Sequence, residues 1–110
     1  MTNWDRILDF YSIVLQRDHY AQFGEKMFEL VSQIRDSPRF SHVEVNTAMY
    51  YLILWIEGID NKCLHISWED DRYLLSLNAF EDTGHKITQQ EALFVIERYL
   101  KKMEDSNDLN

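Results

Sequence analysis

Residues 49–80 read MYYLILWIEGIDNKCLHISWEDDRYLLSLNAF, and three mostly apolar stretches separated by short polar ones dominate this segment. The stretches span 49–56, 63–68 and 73–79 and are rich in β-branched and aromatic residues, which favour strands. Gly58 with Asp60 and Asn61, and the polar stretch 69–71, are typical of turns. The segment therefore predicts three consecutive antiparallel strands.

Helical patterns lie on both sides of this segment. Apolar residues recur every three or four positions in 4–17 and in 20–34, and Pro38 ends the second pattern. Thr2 with Asp5, and Thr88 with Glu91, are spaced as capping boxes at helix starts. Apolar and polar residues alternate over 43–46, which predicts a further strand ahead of the central one.

These elements predict an α+β domain with two N-terminal helices, an antiparallel meander of three to four strands, and one C-terminal helix packed on the sheet. A chain of 110 residues is the size of one domain. We expect a single domain over 1–104 and a flexible polar tail over 105–110.

Composition restricts the compartment and the classes of partner. Cys63 is the single cysteine, so no intrachain disulfide can form, and the first residues lack a charged-then-apolar leader pattern. Together these features predict a cytoplasmic protein. The longest apolar run, 48–56, is too short to span a membrane. The formal net charge is −8 without a cluster of basic residues, so nucleic-acid phosphates would oppose binding.

The alternation of side chains along a strand separates two faces of the predicted sheet. The face assigned to the helices carries Tyr50, Leu52, Leu54, Ile56, Leu64, Ile66, Trp68, Tyr73, Leu75 and Leu77. The opposite face mixes Tyr51, Ile53 and Trp55 with Cys63 and His65, a composition favoured at the centres of interfaces. A helix or the first strand could cover this second face, two copies could bury it in a homodimer, or a partner could bind it.

Acidic residues are concentrated near the same strands. The window 57–82 holds seven acidic residues against two basic ones, which is five of the eight net negative charges. In a meander the loops 57–62 and 80–86 fall at one end of the sheet and 69–71 at the other. Glu57, Asp60, Glu81 and Asp82 are therefore expected to converge on one acidic edge, although charged loops are also what solvation alone favours.

The motifs of enzymes and metal sites are weak in this sequence. Cys63 and His65 share a strand face, but two ligands do not make a zinc site, and residues two apart on a strand are about 6–7 Å apart, too far for direct proton transfer. His85 beside Glu81 and Asp82 is typical of a solvated loop. The isolated glycines form no phosphate-binding loop. We predict no catalytic residue, no metal and no cofactor.

The resulting hypothesis is a non-catalytic protein that neutralises a basic protein partner. In general type, a small acidic α+β domain without catalytic machinery is similar to bacterial immunity proteins and other small inhibitors, which use acidic surfaces to block basic nuclease toxins. Trp68 is a further candidate anchor, although its parity places it on the helix-covered face. The predicted partner-binding residues are Tyr51, Trp55, Glu57, Asp60, His65, Glu69, Asp70, Asp71, Glu81 and Asp82.

Two alternatives belong to other classes. A dimeric secretion or assembly chaperone would hold a client on an exposed apolar sheet face, with an affinity that is insensitive to salt. A small hydrolase or transferase would use His85 or His65 as its acid or base.

Overall fold

The described residues form a five-stranded antiparallel sheet that carries three α-helices on one of its faces. The computed structural model describes residues 2–59, 62–77 and 84–108, with side chains through residue 105. The predicted α+β class is confirmed. The elements are α1 (Asn3–Val14), α2 (Ala21–Asp36), β1 (Val43–Ala48), β2 (Tyr51–Ile56), β3 (Leu64–Glu69), β4 (Arg72–Leu77), β5 (His85–Ile87) and α3 (Ala92–Asp108).

The two N-terminal helices form as the sequence predicts. The Thr2 hydroxyl accepts a hydrogen bond from the Asp5 backbone N–H and the Asp5 carboxylate accepts one from the Thr2 N–H, which completes the capping box of α1. A short 3₁₀ helix, Asp18–Tyr20, leads from α1 into α2. Gly24 lies where the helices meet, and a Cβ atom at this position would be 2.3 Å from the Leu15 backbone nitrogen. The crossing therefore brings backbone against backbone.

The strands follow one another in space in the order β1-β2-β3-β4-β5. Leu64 in β3 is paired with Leu54 in β2 and with Leu77 in β4, so one register continues across the centre of the sheet. The fifth strand is a correction, because its residues fall within the predicted loop 80–86 and at Ile87. β5 has three residues, a length at which alternation gives no recognisable pattern, and its pairing with β4 defines it.

The start of the central strand is a second correction. Met49 and Tyr50 were predicted to belong to the strand 49–56, but they form the two-residue turn between β1 and β2, with φ angles of 50° and 76°. Tyr50 was assigned to the helix-covered face, and from this turn its ring does contact the helices through Phe10 and Phe23, although the residue is 37% exposed. The strand is shorter because its pairing with β1 stops at Tyr51.

The remaining core assignments are confirmed. Leu52, Leu54, Leu64, Ile66 and Leu75 have no exposed surface, and they pack with apolar residues of all three helices in one cluster. α1 contacts β1, α2 contacts β3 and α3 contacts β2 on this side of the sheet. Trp68 and Leu77 are partly buried at the margin of the cluster.

The C-terminal helix begins after a 3₁₀ turn. The Thr88 hydroxyl accepts a hydrogen bond from the Glu91 N–H, so Thr88 is the predicted N-cap. The Glu91 carboxylate accepts from the Thr88 hydroxyl and not from the backbone N–H, so the capping box is only half formed. α3 continues through Asp108, so most of the segment 105–110 that was predicted as a flexible tail is helical. Among the described residues, no helix has the length and apolarity needed to cross a membrane.

Candidate functional site

The side of the sheet opposite the helices is open to solvent. In the described part of the chain all three helices pack against the same face, and most side chains of the other parity remain partly or fully exposed. We call this surface the outer face; its residues are Glu44, Asn46, Tyr51, Ile53, Trp55, His65, Ser67, Leu74, Ser76 and Lys86.

The sheet registers bring three of the predicted site residues together on the outer face. Ile53 lies beside His65, and the rings of Tyr51 and His65 meet edge to face with centroids 6.3 Å apart. Trp55 lies beside Glu44 of β1 and borders a shallow depression that reaches Glu57. Tyr51, Trp55 and His65 thus belong to one continuous surface, whereas Trp68 packs on the other side of the sheet.

Trp68 is accounted for by the structure of the helix-covered side. Its ring meets Tyr73 edge to face with centroids 4.8 Å apart, and the Lys26 ammonium lies 5.5 Å from its ring centroid. These contacts give Trp68 a packing role under α2.

Cys63 and His65 are closer than strand spacing predicts. The Cys63 Sγ lies 3.7 Å from the His65 Nδ1, so the expected separation of about 6–7 Å is wrong for these side chains. Cys63 precedes the first residue of β3, and the strand pleat does not fix the direction of its side chain. Burial raises the pKa of the Cys63 thiol and lowers the pKa of the His65 imidazole. Both shifts favour the neutral forms, which does not suit a thiolate nucleophile.

The acidic residues divide between the two ends of the sheet. Glu57 follows β2 at one end, and Glu69, Asp70 and Asp71 lie at the other, as the meander predicts. Glu57 was predicted to converge with Asp60, Glu81 and Asp82. The last three of these residues lie outside the described part of the chain.

Basic side chains accompany several of the described acids. Lys86 makes an ion pair with Asp70, with Nζ 2.9 Å from Oδ2, and Glu69 lies opposite Arg72 across the β3–β4 pair. Lys62 borders the same depression as Glu57. In the described residues, the margin of the outer face therefore has both signs of charge.

The turn formed by Met49 and Tyr50, which we call the tip, has a strained backbone. Both residues have positive φ, a region that L-residues with a side chain rarely occupy and that two-residue hairpins usually fill with Gly, Asn or Asp. The buried Tyr11 hydroxyl donates a hydrogen bond of 2.9 Å to the Tyr50 carbonyl. Tyr20 stacks on the Tyr50 ring with centroids 5.6 Å apart. The helices thus hold the turn in its unfavourable conformation.

The consequence of this arrangement is an exposed apolar projection beside the outer face. The Met49 side chain is 89% exposed and Tyr51 is 44% exposed. Both border a depression that also includes Trp68 and Glu69. The tip was not predicted, but the sequence contains a signal for it: buried positions change from odd numbers in β1 to even numbers in β2, which requires a turn with an even number of residues.

Replacing Met49 with glycine should stabilise the protein. Glycine adopts positive φ without the cost of about 1–2 kcal/mol that L-residues bear, and the exposed Met49 side chain adds little packing. After the greater entropy of glycine in the unfolded chain is subtracted, we expect a gain of about 0.5–1 kcal/mol. Urea unfolding followed by tryptophan fluorescence measures it. Met49→Ala is the matched control, because it shortens the side chain but keeps the strain; equal stabilities of the two variants would contradict a strained tip.

Comparison with known proteins returns no matching family model, no matching curated protein and no matching solved structure. Among the described residues, no three His, Cys, Asp or Glu side chains are grouped so that they could hold a metal ion.

Proposed function

We propose that this chain is a non-catalytic binding protein that neutralises a basic protein partner, in the manner of bacterial immunity proteins and toxin inhibitors. The observation that supports the proposal most is the outer face, where exposed aromatic and apolar side chains adjoin the strained tip. Aromatic residues and methionine are enriched at the centres of interfaces, and strained backbone conformations cluster at functional sites.

The dimensions of the sheet suit the centre of an interface. Four six-residue strands about 20 Å long and the three-residue β5, all about 4.8 Å apart, give a projected area of roughly 430 Å². A standard interface buries about 800 Å² of accessible surface on each partner. A partner that covers the outer face would therefore also reach the tip at its edge. The proposed contact therefore includes Met49 and Tyr51 together with Trp55.

The net charge of the whole chain acts on a partner at longer range than the local pairs of acidic and basic residues do. The net charge of −8 attracts a basic partner and repels a second copy of the chain. Around the outer face, however, Glu57, Glu69 and Asp70 have basic residues close by. We therefore assign affinity mainly to Tyr51 and Trp55, and association rate mainly to the overall charge.

The proposal predicts a specific pattern of losses. A partner that the wild-type chain retains from an extract of the native cell should not be retained by Trp55→Ala and should still be retained by Phe94→Ala. Phe94 is the control because it is an aromatic residue of α3 that is 62% exposed. With the retained protein purified, Trp55→Ala should raise the Kd about 30-fold, as for a central aromatic residue. Association should also slow as salt rises. Equal retention by both variants, with folding intact, would contradict the proposed surface.

A dimeric chaperone is the second candidate, and the mixed charge at the margin of the outer face favours it. Opposite charges on one surface allow two copies to pair despite the net repulsion. Mass measurement in solution separates the candidates: a dimer that Trp55→Ala converts to a monomer would favour the chaperone, and a wild-type monomer would favour the inhibitor.

A further inference from the structure

A second surface, on the other side of the molecule from the outer face, has the composition of an anion site. A depression lies where β5 meets α3, and its lining residues are His85, Val95, Arg98, Tyr99 and Lys102. Arg98 and Lys102 are four residues apart on α3, so their side chains project from one side of the helix. The lining includes no acidic side chain of the described residues.

The positive charge of this depression is not neutralised within the described part of the chain. Arg39 and Lys86 each lie within 3.0 Å of a carboxylate oxygen, whereas Arg98 and Lys102 have no described carboxylate within the 4.0 Å of an ion pair. The Arg98 guanidinium lies instead over the Phe94 ring, 5.8 Å from its centroid. Like charges four residues apart on a helix repel each other. An anion bound between them would relieve that repulsion.

His85 and Tyr99 complete the set of donors. The Tyr99 hydroxyl is hydrogen-bonded to the His85 Nδ1. When the hydroxyl donates to Nδ1, the imidazole proton resides on Nε2, which then becomes a donor. Arginine offers a planar pair of N–H donors, lysine an ammonium and histidine an Nε2–H, which together suit the oxygens of a tetrahedral oxyanion.

We propose that this depression binds a phosphate group, with Arg98 and Lys102 as the main ligands and His85 as a third donor. Both a free phosphate ion and a phosphomonoester present this chemistry. Val95, the aliphatic residue of the described lining, offers contact to the organic part of a phosphomonoester. The site is independent of the protein-binding surface proposed above.

Nuclear magnetic resonance titration with inorganic phosphate tests the site directly. At pH 7 and at ionic strength held constant with chloride, the His85 ring protons should shift along a saturating curve. Arg98→Gln and Lys102→Gln should each raise the Kd about tenfold, the loss expected when one charge-assisted hydrogen bond is removed. Lys101→Gln, on the same helix but outside the lining, should leave the Kd within about twofold of wild type.

Phenyl phosphate, titrated in parallel, separates the two sources of the group. Tighter binding than inorganic phosphate, with shifts of the Val95 methyl groups, identifies a phosphomonoester site, and equal binding identifies a site for free phosphate. Shifts that rise linearly with phosphate, or that persist unchanged in Arg98→Gln, would overturn the proposal. The double variant Glu81→Gln/Asp82→Asn is titrated as well, because these acids precede His85 in the sequence. Saturable binding by this variant without saturable binding by the wild type would also overturn the proposal.

Discussion

Gly24→Ala should be among the most destabilising single substitutions in this protein, with a loss of about 3 kcal/mol or more in the free energy of unfolding. The added Cβ would lie 2.3 Å from the Leu15 nitrogen and 2.6 Å from the Leu15 Cα. Both are backbone atoms, so no rotamer change relieves the clash, and α1 and α2 must separate. Such a separation opens the cluster that contains Tyr11 and Met27, both without exposed surface. Urea unfolding followed by circular dichroism measures the loss.

Gly58→Ala is the matched control for this prediction. Gly58 has a φ of +91°, but an added Cβ would meet no atom of the described residues within 4 Å. Its substitution should therefore cost about 1 kcal/mol through backbone strain alone. A loss for Gly24→Ala no greater than that for Gly58→Ala would show that the helices can separate at little cost.

The helices that contain or precede these glycines show which features of the fold a sequence pattern can predict. Periodicity and capping residues predict α1 and α2 because they are properties of one helix. The contact of Gly24 with Leu15 depends on how two helices cross, and no local pattern encodes it. Strand parity succeeded similarly within β2, β3 and β4, and it failed at β5, whose identity depends on its pairing with β4.

The candidate site was likewise predictable only in part. Alternation along β2 and β3 placed Tyr51, Trp55 and His65 on one face, and the sheet brings them together. That no helix of the described residues covers this face could not be predicted, since the side on which helices pack is decided by their connections and apolar stripes together. The tip was missed because Met49 and Tyr50 have none of the residue preferences of a hairpin turn. Tertiary contacts from Tyr11 and Tyr20 override that local preference.

Alkaline pH should unfold the protein steeply, because two buried phenols resist ionisation. Burial raises the pKa of Tyr11 well above its ordinary value of 10, and burial with the nearby Glu29 carboxylate raises the pKa of Tyr73 likewise. Each hydroxyl donates to a backbone carbonyl, Tyr11 to Tyr50 and Tyr73 to Lys26. An ionised phenol would lose that donor and place its charge against the carbonyl oxygen.

The sign of the pH dependence follows from proton counting. Above pH 10 the unfolded chain releases these two protons while the folded chain keeps them, so the unfolded state binds fewer protons and stability falls as pH rises. The stabilisation is complete below about pH 10 and is lost progressively above it. With two such groups, the free energy of unfolding should fall by up to about 2.7 kcal/mol per pH unit.

Urea unfolding at a series of pH values from 8 upward measures this slope. A Cys63→Ser background removes the titration of the thiol, whose pKa burial also raises. In that background Tyr73→Phe should lower stability at pH 8, because the Lys26 carbonyl loses its donor, and should reduce the slope above pH 10 to about 1.4 kcal/mol per pH unit. Tyr51→Phe, at an exposed tyrosine of the outer face, is the matched control and should keep the wild-type slope. If Tyr73→Phe also kept that slope, the Tyr73 phenol would ionise in the folded protein, and the Lys26 carbonyl contact would not hold its proton.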